Sequence, residues 1–185
     1  MGRVAVLVID MLKDFVTGAL KCERAKDIIP NISKILEAAR AHKIPVIYTN
    51  DSHLPDIDAE FRLWGPHAIK GTDGAEVVDE LKPKSGDYIV EKRRYSAFFQ
   101  TDLDILLREL KVDTLILTGI HSTVCVLHTA ADAFFRGYRV IVVEDATTTF
   151  TVEEHKRALD YMKNIYGAEI MKTDEIITRI KEGRV

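Results

Sequence analysis

The chain has 185 residues, 46% of them hydrophobic, with 26 Lys and Arg set against 29 Asp and Glu. A net charge of −3 without a basic cluster excludes the electrostatic footprint of a nucleic-acid binder. The N-terminal apolar run VAVLVI is too short to cross a bilayer, so no membrane partner is expected. Two cysteines far apart, with no signal peptide in view, fit a reducing, cytoplasmic setting rather than a disulfide framework.

No repeat, low-complexity tract or Gly/Ser/Pro linker divides the sequence, so one domain over residues 1–185 is expected. Residues 4–10, VAVLVID, form a continuous β-branched run that reads as a central parallel strand ending at Asp10. A helix is expected from Pro30 to His42, with Pro30 in its first turn and Ile32, Ile35, Leu36 and Ala39 on one face. Residues 44–49 read as the second strand, with Asn50, Asp51 and His53 just past its end. Residues 52–74 carry Trp64, Pro66, His67 and Gly71 with little periodicity, and an irregular segment of that length suggests function. A short helix over 75–81 and a strand over 88–91 follow, with Lys92 at the strand's end. Thr101 would cap a helix running to Leu110.

Residues 113–126, DTLILTGIHSTVCV, read as a buried strand broken at Gly119, a tight turn, and a helix capped by Ser122 or Thr123 that continues to Gly137. Cys125 then lies in the first helical turn, where the helix dipole favours thiolate. A fifth strand spans 138–143 and ends at Glu144 and Asp145. Thr151 and Glu154 form a capping box for a helix to Tyr166, with Gly167 past its end. A short sixth strand over 168–171 precedes a last helix capped by Thr173. This alternation specifies an α/β three-layer sandwich around a six-stranded, mostly parallel sheet.

Ligands of such sheets bind at the carboxyl ends of the strands. There the sequence delivers Asp10, Asp51 with His53, Lys92 and Cys125 to one rim. Asp10 can accept the thiol proton of Cys125, and Lys92 can stabilise the charges, so acyl transfer to Cys125 followed by hydrolysis is the implied chemistry. A buried Lys92–Asp10 ion pair that only holds strand ends would look the same in sequence. His128, three residues after Cys125, is the rival base. Asp51, His53 and His67 are donors of the kind that Zn, Fe or Mn accept. Phe15, Trp64 and Tyr95 would wall a flat apolar pocket or anchor their loops.

Five stretches then complete a pattern: VLVIDMLKDF at 6–15, YTNDSH at 48–53, WGPHAIKGTDGAEV at 64–77, EKRRYSAFFQTDL at 91–103 and LTGIHSTVCVLHTAADAFFRGY at 117–138. Over nearly its whole length the chain resembles the isochorismatase-like cysteine hydrolases. The resemblance implies a Rossmann-like fold and a catalytic triad of Asp10, Lys92 and Cys125. It also implies a cis peptide between Ile120 and His121, and an oxyanion hole from the backbone N–H groups of His121 and Cys125. Within that family the chain is most similar in function-bearing residues to nicotinamidases. That likeness implies a divalent metal, zinc before iron or manganese, on Asp51, His53 and His67. It implies a small amide substrate between Phe15, Trp64 and Tyr95, while the wider family resemblance implies a homo-oligomer, dimer or tetramer. Nicotinamide converted to nicotinate and ammonia is the expected reaction. Hydrolysis of another small amide or ureido compound, as by N-carbamoylsarcosine amidase, or of an isochorismatase-type substrate, is the alternative. A non-catalytic binding module is the third reading. Thr123 stands where nicotinamidases carry an acid, and His121 where they carry alanine.

Overall fold

A computed structural model describes residues 3–185. Six strands, β1 (Val4–Ile9), β2 (Val46–Asp51), β3 (Tyr88–Lys92), β4 (Thr114–Ile120), β5 (Arg139–Thr148) and β6 (Glu169–Met171), form one parallel sheet in the order β3-β2-β1-β4-β5-β6. The central strands are buried on both faces, which is why β1 and β4 read as unbroken apolar runs rather than alternating ones.

The helices are α1 (Lys13–Val16), α2 (Ala25–Ala41), α3 (Phe61–Trp64), α4 (Leu103–Glu109), α5 (Cys125–Phe135), α6 (Val152–Tyr166) and α7 (Thr173–Lys181). One layer packs Ile28, Ile32, Ile35 and Leu36 of α2 and Ile176 and Ile180 of α7 against the sheet. The other packs Leu103 and Leu107 of α4, Val126, Ala130 and Ala133 of α5, and Leu159 and Met162 of α6. Each fully buried Leu or Ile contributes about 1.5–3 kcal/mol. The three-layer sandwich is therefore the expected one.

Several boundaries differ. α2 starts at Ala25, so Pro30 lies inside it rather than in its first turn; the apolar stripe reaches back to Ile28 and Ala25 and outweighs one lost helical bond. Residues 75–81 form no α-helix; two 3₁₀ turns, Asp73–Ala75 and Asp79–Leu81, stand around them. β4 runs through Gly119 without breaking. A Cβ at Gly119 (φ +99°) would lie 2.0 Å from the carbonyl oxygen of Ile9, so only glycine lets β4 pass β1 there.

β5 continues past Glu144 and Asp145 to Thr148. Its register against β4 jumps from Leu117–Val142 to Gly119–Thr147, so the acid pair occupies an irregularity within the strand. Asp145 uses it to accept the backbone N–H (2.8 Å) and hydroxyl (2.7 Å) of Thr173. Lys172, not Thr173, is therefore the N-cap of α7, and the Glu175 carboxylate accepts its N–H at 2.8 Å. Thr151 caps α6 as expected, accepting the Glu154 N–H at 3.2 Å.

Candidate active site

The sheet order changes direction between β1 and β4, and a crevice opens outside the carboxyl ends at such a point. Asp10 follows β1 on one side of it, and Cys125 opens α5 after β4 on the other. β2 and β3 bring Asp51 and Lys92, paired in register, to the same rim. All four side chains are buried.

Lys92 is the hub. Its Nζ lies 2.8 Å from Asp10 Oδ2, 2.6 Å from Asp51 Oδ1 and 3.6 Å from Cys125 Sγ. The other Asp10 oxygen accepts the backbone N–H of Asp51 at 2.8 Å. One oxygen each of Asp10 and Asp51 and the sulfur of Cys125 lie within 4.8 Å of one another. Burial pulls the Lys92 amine down, but Asp10 and Asp51 more than offset it and hold the ammonium charged, well above its usual range. Burial, reinforced by Asp51, pushes the Asp10 carboxyl up to about 6.

The thiol departs from the sequence expectation. Burial pushes Cys125 well above the usual thiol range, and the Lys92 charge only partly opposes this. Burial therefore favours the neutral thiol of Cys125 over its thiolate. Neither Ser122 nor Thr123 caps α5: Val124 is the N-cap, Ser122 Oγ meets His155 Nδ1 at 2.9 Å, and Thr123 Oγ1 meets Thr149 Oγ1 at 2.7 Å. The Ile120–His121 peptide is cis. Among the described residues no backbone carbonyl accepts the N–H of His121 or of Cys125.

Beside this hub, Asp51, His53, Glu60 and His67 each direct one donor atom into a buried cluster whose members lie within 4.8 Å of one another. His53 Nδ1 is tied to Asp58 Oδ2 at 2.9 Å, so Nε2 is the nitrogen left toward Asp51 and Glu60. His67 Nδ1 donates to the carbonyl of Gly65 at 2.8 Å. Arg93 in turn grips Asp58 and holds it below the usual carboxylate range. His53 Nε2 and Glu60 Oε1 are buried without a partner among the described residues, and burial together with the Asp51 charge pushes Glu60 up to about 7. Two imidazoles and two carboxylates, with His53, His67 and Asp51 oriented by hydrogen bonds on their outer atoms, fit a divalent cation.

Trp64, Tyr95, His121, Val124 and Phe150 line a narrow cavity with Cys125, and Asp51 and His67 border it. Trp64 Nε1 donates to the Tyr95 hydroxyl at 3.0 Å. Phe15 is buried behind them, its ring meeting those of His67 (5.5 Å) and His121 (6.0 Å).

The isochorismatase domain family matches residues 4–175. The chain belongs to this family. It is 44% identical to the N-carbamoylsarcosine amidase of Thermoplasma acidophilum, with a TM-score of 0.87 over 93% of this chain and 97% of that one. It is 37% identical to the nicotinamidase PncA of Bacillus subtilis, with a TM-score of 0.87 over 92% and 99% of the two chains. The pyrazinamidase of Pyrococcus horikoshii, solved in complex with zinc, is 30% identical, with a TM-score of 0.86 over 92% and 99%. Among the described residues of this family member no helix is long and apolar enough to cross a membrane.

His128, the rival base, is exposed, bonds Val124 O through Nδ1 at 2.7 Å and tilts against Tyr95. Sequence reasoning missed Glu60 and Phe150. Glu60 sits among other acids in an aperiodic segment, and Phe150 stands two residues past β5, whose length the sequence understated. It also treated Asp51 only as a metal donor, whereas Asp51 pairs with Lys92 as well.

Proposed function

We propose that this isochorismatase-family hydrolase is a cysteine amidohydrolase acting on a small flat carboxamide of the nicotinamide type, which it converts to the carboxylate and ammonia. The observation that carries the reading is the Lys92 ammonium set between Asp10 and Asp51, 3.6 Å from Cys125 Sγ. Asp10, raised to about 6, is ionised near neutrality yet basic enough to take the thiol proton. The thiolate attacks the amide carbon while Lys92 and the N–H groups of His121 and Cys125 hold the developing charge. The C–N bond breaks, Asp10 returns its proton to the leaving ammonia, and a thioester remains. Asp10 then takes a proton from water, the hydroxide adds to the thioester, and the Cys125 thiolate departs and is reprotonated.

Asp51, His53, Glu60 and His67 would hold a divalent cation, zinc before iron or manganese, offering a Lewis-acidic position to a ring nitrogen. Trp64, Tyr95 and Phe15 would flank and back the ring. The family resemblance carries a cytoplasmic homo-oligomer, dimer or tetramer, into the same proposal.

A second reading, hydrolysis of a ureido compound by the same triad, is favoured by the likeness to the Thermoplasma acidophilum enzyme. Carbon dioxide release separates the two: nicotinamide yields nicotinate and ammonia, whereas hydrolysis of a carbamoyl group yields carbon dioxide along with ammonia. Cys125→Ala is expected to lower turnover of the true substrate roughly 10⁴-fold or more with the fold retained. Substantial residual turnover would eliminate the mechanism.

A further inference from the structure

His121 is the histidine whose environment is least explained by packing. The chain has six histidines. His42, His53, His67 and His128 each bond through Nδ1, and His155 bonds through both ring nitrogens. His121 is 5% exposed, and neither Nδ1 nor Nε2 has a partner among the described residues. Buried polar groups in folded proteins are nearly always paired, so a doubly unpaired imidazole in a ligand cavity marks a place where a ligand supplies the partner.

The ring is held rather than loose. It stacks on Phe150 at 4.3 Å and 19°, and meets Phe15 edge to face at 6.0 Å and 88°. It lines the same cavity as Cys125, Trp64 and Tyr95. Burial holds it neutral, and a neutral imidazole presents one donor and one acceptor. No hydrogen bond joins it to Cys125 among the described residues. Recognition of substrate is then the role that its position supports.

Building on the amidohydrolase reading, we infer that His121 is a specificity-determining residue, and that the preferred substrate is a flat carboxamide carrying a second neutral hydrogen-bonding group, a hydroxyl or another amide, that meets the His121 imidazole. Such a group can donate to or accept from one of the ring nitrogens, whichever tautomer the imidazole adopts. Plain nicotinamide offers only C–H edges beyond its carboxamide and ring nitrogen, and it would seal His121 in unpaired.

The test is a panel of nicotinamide, its ring-hydroxylated isomers and pyridine-3,5-dicarboxamide, assayed for ammonia release with wild-type protein and with His121→Phe and His121→Asn. Kd values for the same compounds are measured by calorimetry on Cys125→Ala protein, with and without His121→Phe. Wild type should favour at least one substituted amide over nicotinamide by about tenfold or more in kcat/KM. His121→Phe, which keeps a flat ring without nitrogens, should collapse that ratio, and His121→Asn, which keeps a donor and an acceptor, should restore part of it. The Kd ratio should follow. A wild-type protein that ranks nicotinamide above every substituted amide overturns the inference without any variant. So does a ratio that His121→Phe leaves unmoved. A protein that neither binds nor hydrolyses any member of the panel overturns the carboxamide reading as well, which separates the two failures.

Discussion

At the scale of single residues, Lys92 and Cys125 should separate stability from chemistry. Lys92 is fully buried and neutralises two carboxylates, Asp10 and Asp51. Lys92→Met leaves both without their cation in a low-dielectric site, and removing one partner of a buried ion pair costs about 3–5 kcal/mol. Cys125→Ala deletes a neutral thiol and leaves the ion triad intact. Urea unfolding should show a large loss for Lys92→Met and a small one for Cys125→Ala, with both inactive; equal losses would mean that the triad is not the buried ionic unit described. Glu60→Gln tests the second cluster. Its carboxylate stands beside His53 Nε2 at 3.8 Å, so the amide should weaken zinc binding at least about tenfold in a chelator competition. An unchanged affinity would remove Glu60 from the donor set. The contrast between these residues shows what the sequence could reveal. Asp10, Lys92 and Cys125 were legible because parallel strands end at a common rim, so their addresses follow from periodicity. Glu60 and Phe150 were not, because no period fixes where an irregular segment folds back.

Elements carry their own predictions. β4 passes β1 at Gly119, where any Cβ would collide with the backbone of Ile9, one residue before Asp10. Gly119→Ala must push the two strands apart or distort the positive φ, so a severe loss of soluble protein, or a Tm lowered by about 10 °C or more, is expected in thermal unfolding. A Tm within a few degrees of wild type would mean that the strands are not so tightly apposed. α6 is tied to the loop before Cys125 by His155, whose Nε2–H donates to Glu144 O at 3.0 Å while Nδ1 faces Ser122 Oγ. Burial lowers the folded His155 pKa from its ordinary 6.5. Unfolded chains therefore bind more protons than folded ones between the folded pKa and 6.5, and this contribution is present above 6.5 and lost as pH falls below it. His155→Gln should flatten the stability difference between pH 7 and pH 5 measured by urea unfolding; an unaltered slope would show that His155 does not titrate in this window. The sequence located α6 through its caps, Thr151 and Gly167, but understated β5. Glu144 and Asp145 look like the end of a strand because acids are poor sheet formers, and nothing local discloses that a change of register absorbs them. α2 was truncated for the converse reason: Pro30 is a strong local signal that the longer apolar face overrides.

Across the whole molecule, the rigid and irregular parts divide the labour unevenly. Asp10, Asp51 and Lys92 stand at the ends of three adjacent strands, whose paired backbones fix their spacing. Three of the four candidate metal donors, His53, Glu60 and His67, come instead from residues 52–75, which contain only the short α3 and a 3₁₀ turn. That segment is closed on itself by His53 N–H to Ala68 O and Lys70 N–H to His53 O, both at 2.9 Å. It is tied to the rest of the chain mainly by Ser52 N–H to Lys92 O at 2.8 Å, Ala68 N–H to Asp14 Oδ2 at 2.8 Å, Trp64 Nε1–H to the Tyr95 hydroxyl at 3.0 Å, and ion pairs of Asp58 with Arg93, Lys70 with Glu91 and Lys13 with Asp73. Burial first, and the Asp51 charge second, raise the Glu60 carboxyl to about 7, so two carboxylates meet there unfavourably. A bound cation would relieve that repulsion and join the segment to β2. A ligand at about a hundredfold over its Kd stabilises the folded state by about 2.7 kcal/mol, which for a chain of this size is a Tm shift of about 5–10 °C. Chelation should therefore lower Tm by that amount and open the 52–75 segment to limited proteolysis, and added zinc should reverse both. Cys125, at the start of α5 and beside the strand-end Lys92, should respond differently, because its surroundings rest on the sheet: its alkylation, slow in the folded protein because the thiol is buried, should change little on chelation. If instead the metal-free protein melts at the same temperature and resists cleavage in that segment, the donor cluster contributes nothing to its order, and the four side chains are held by packing alone.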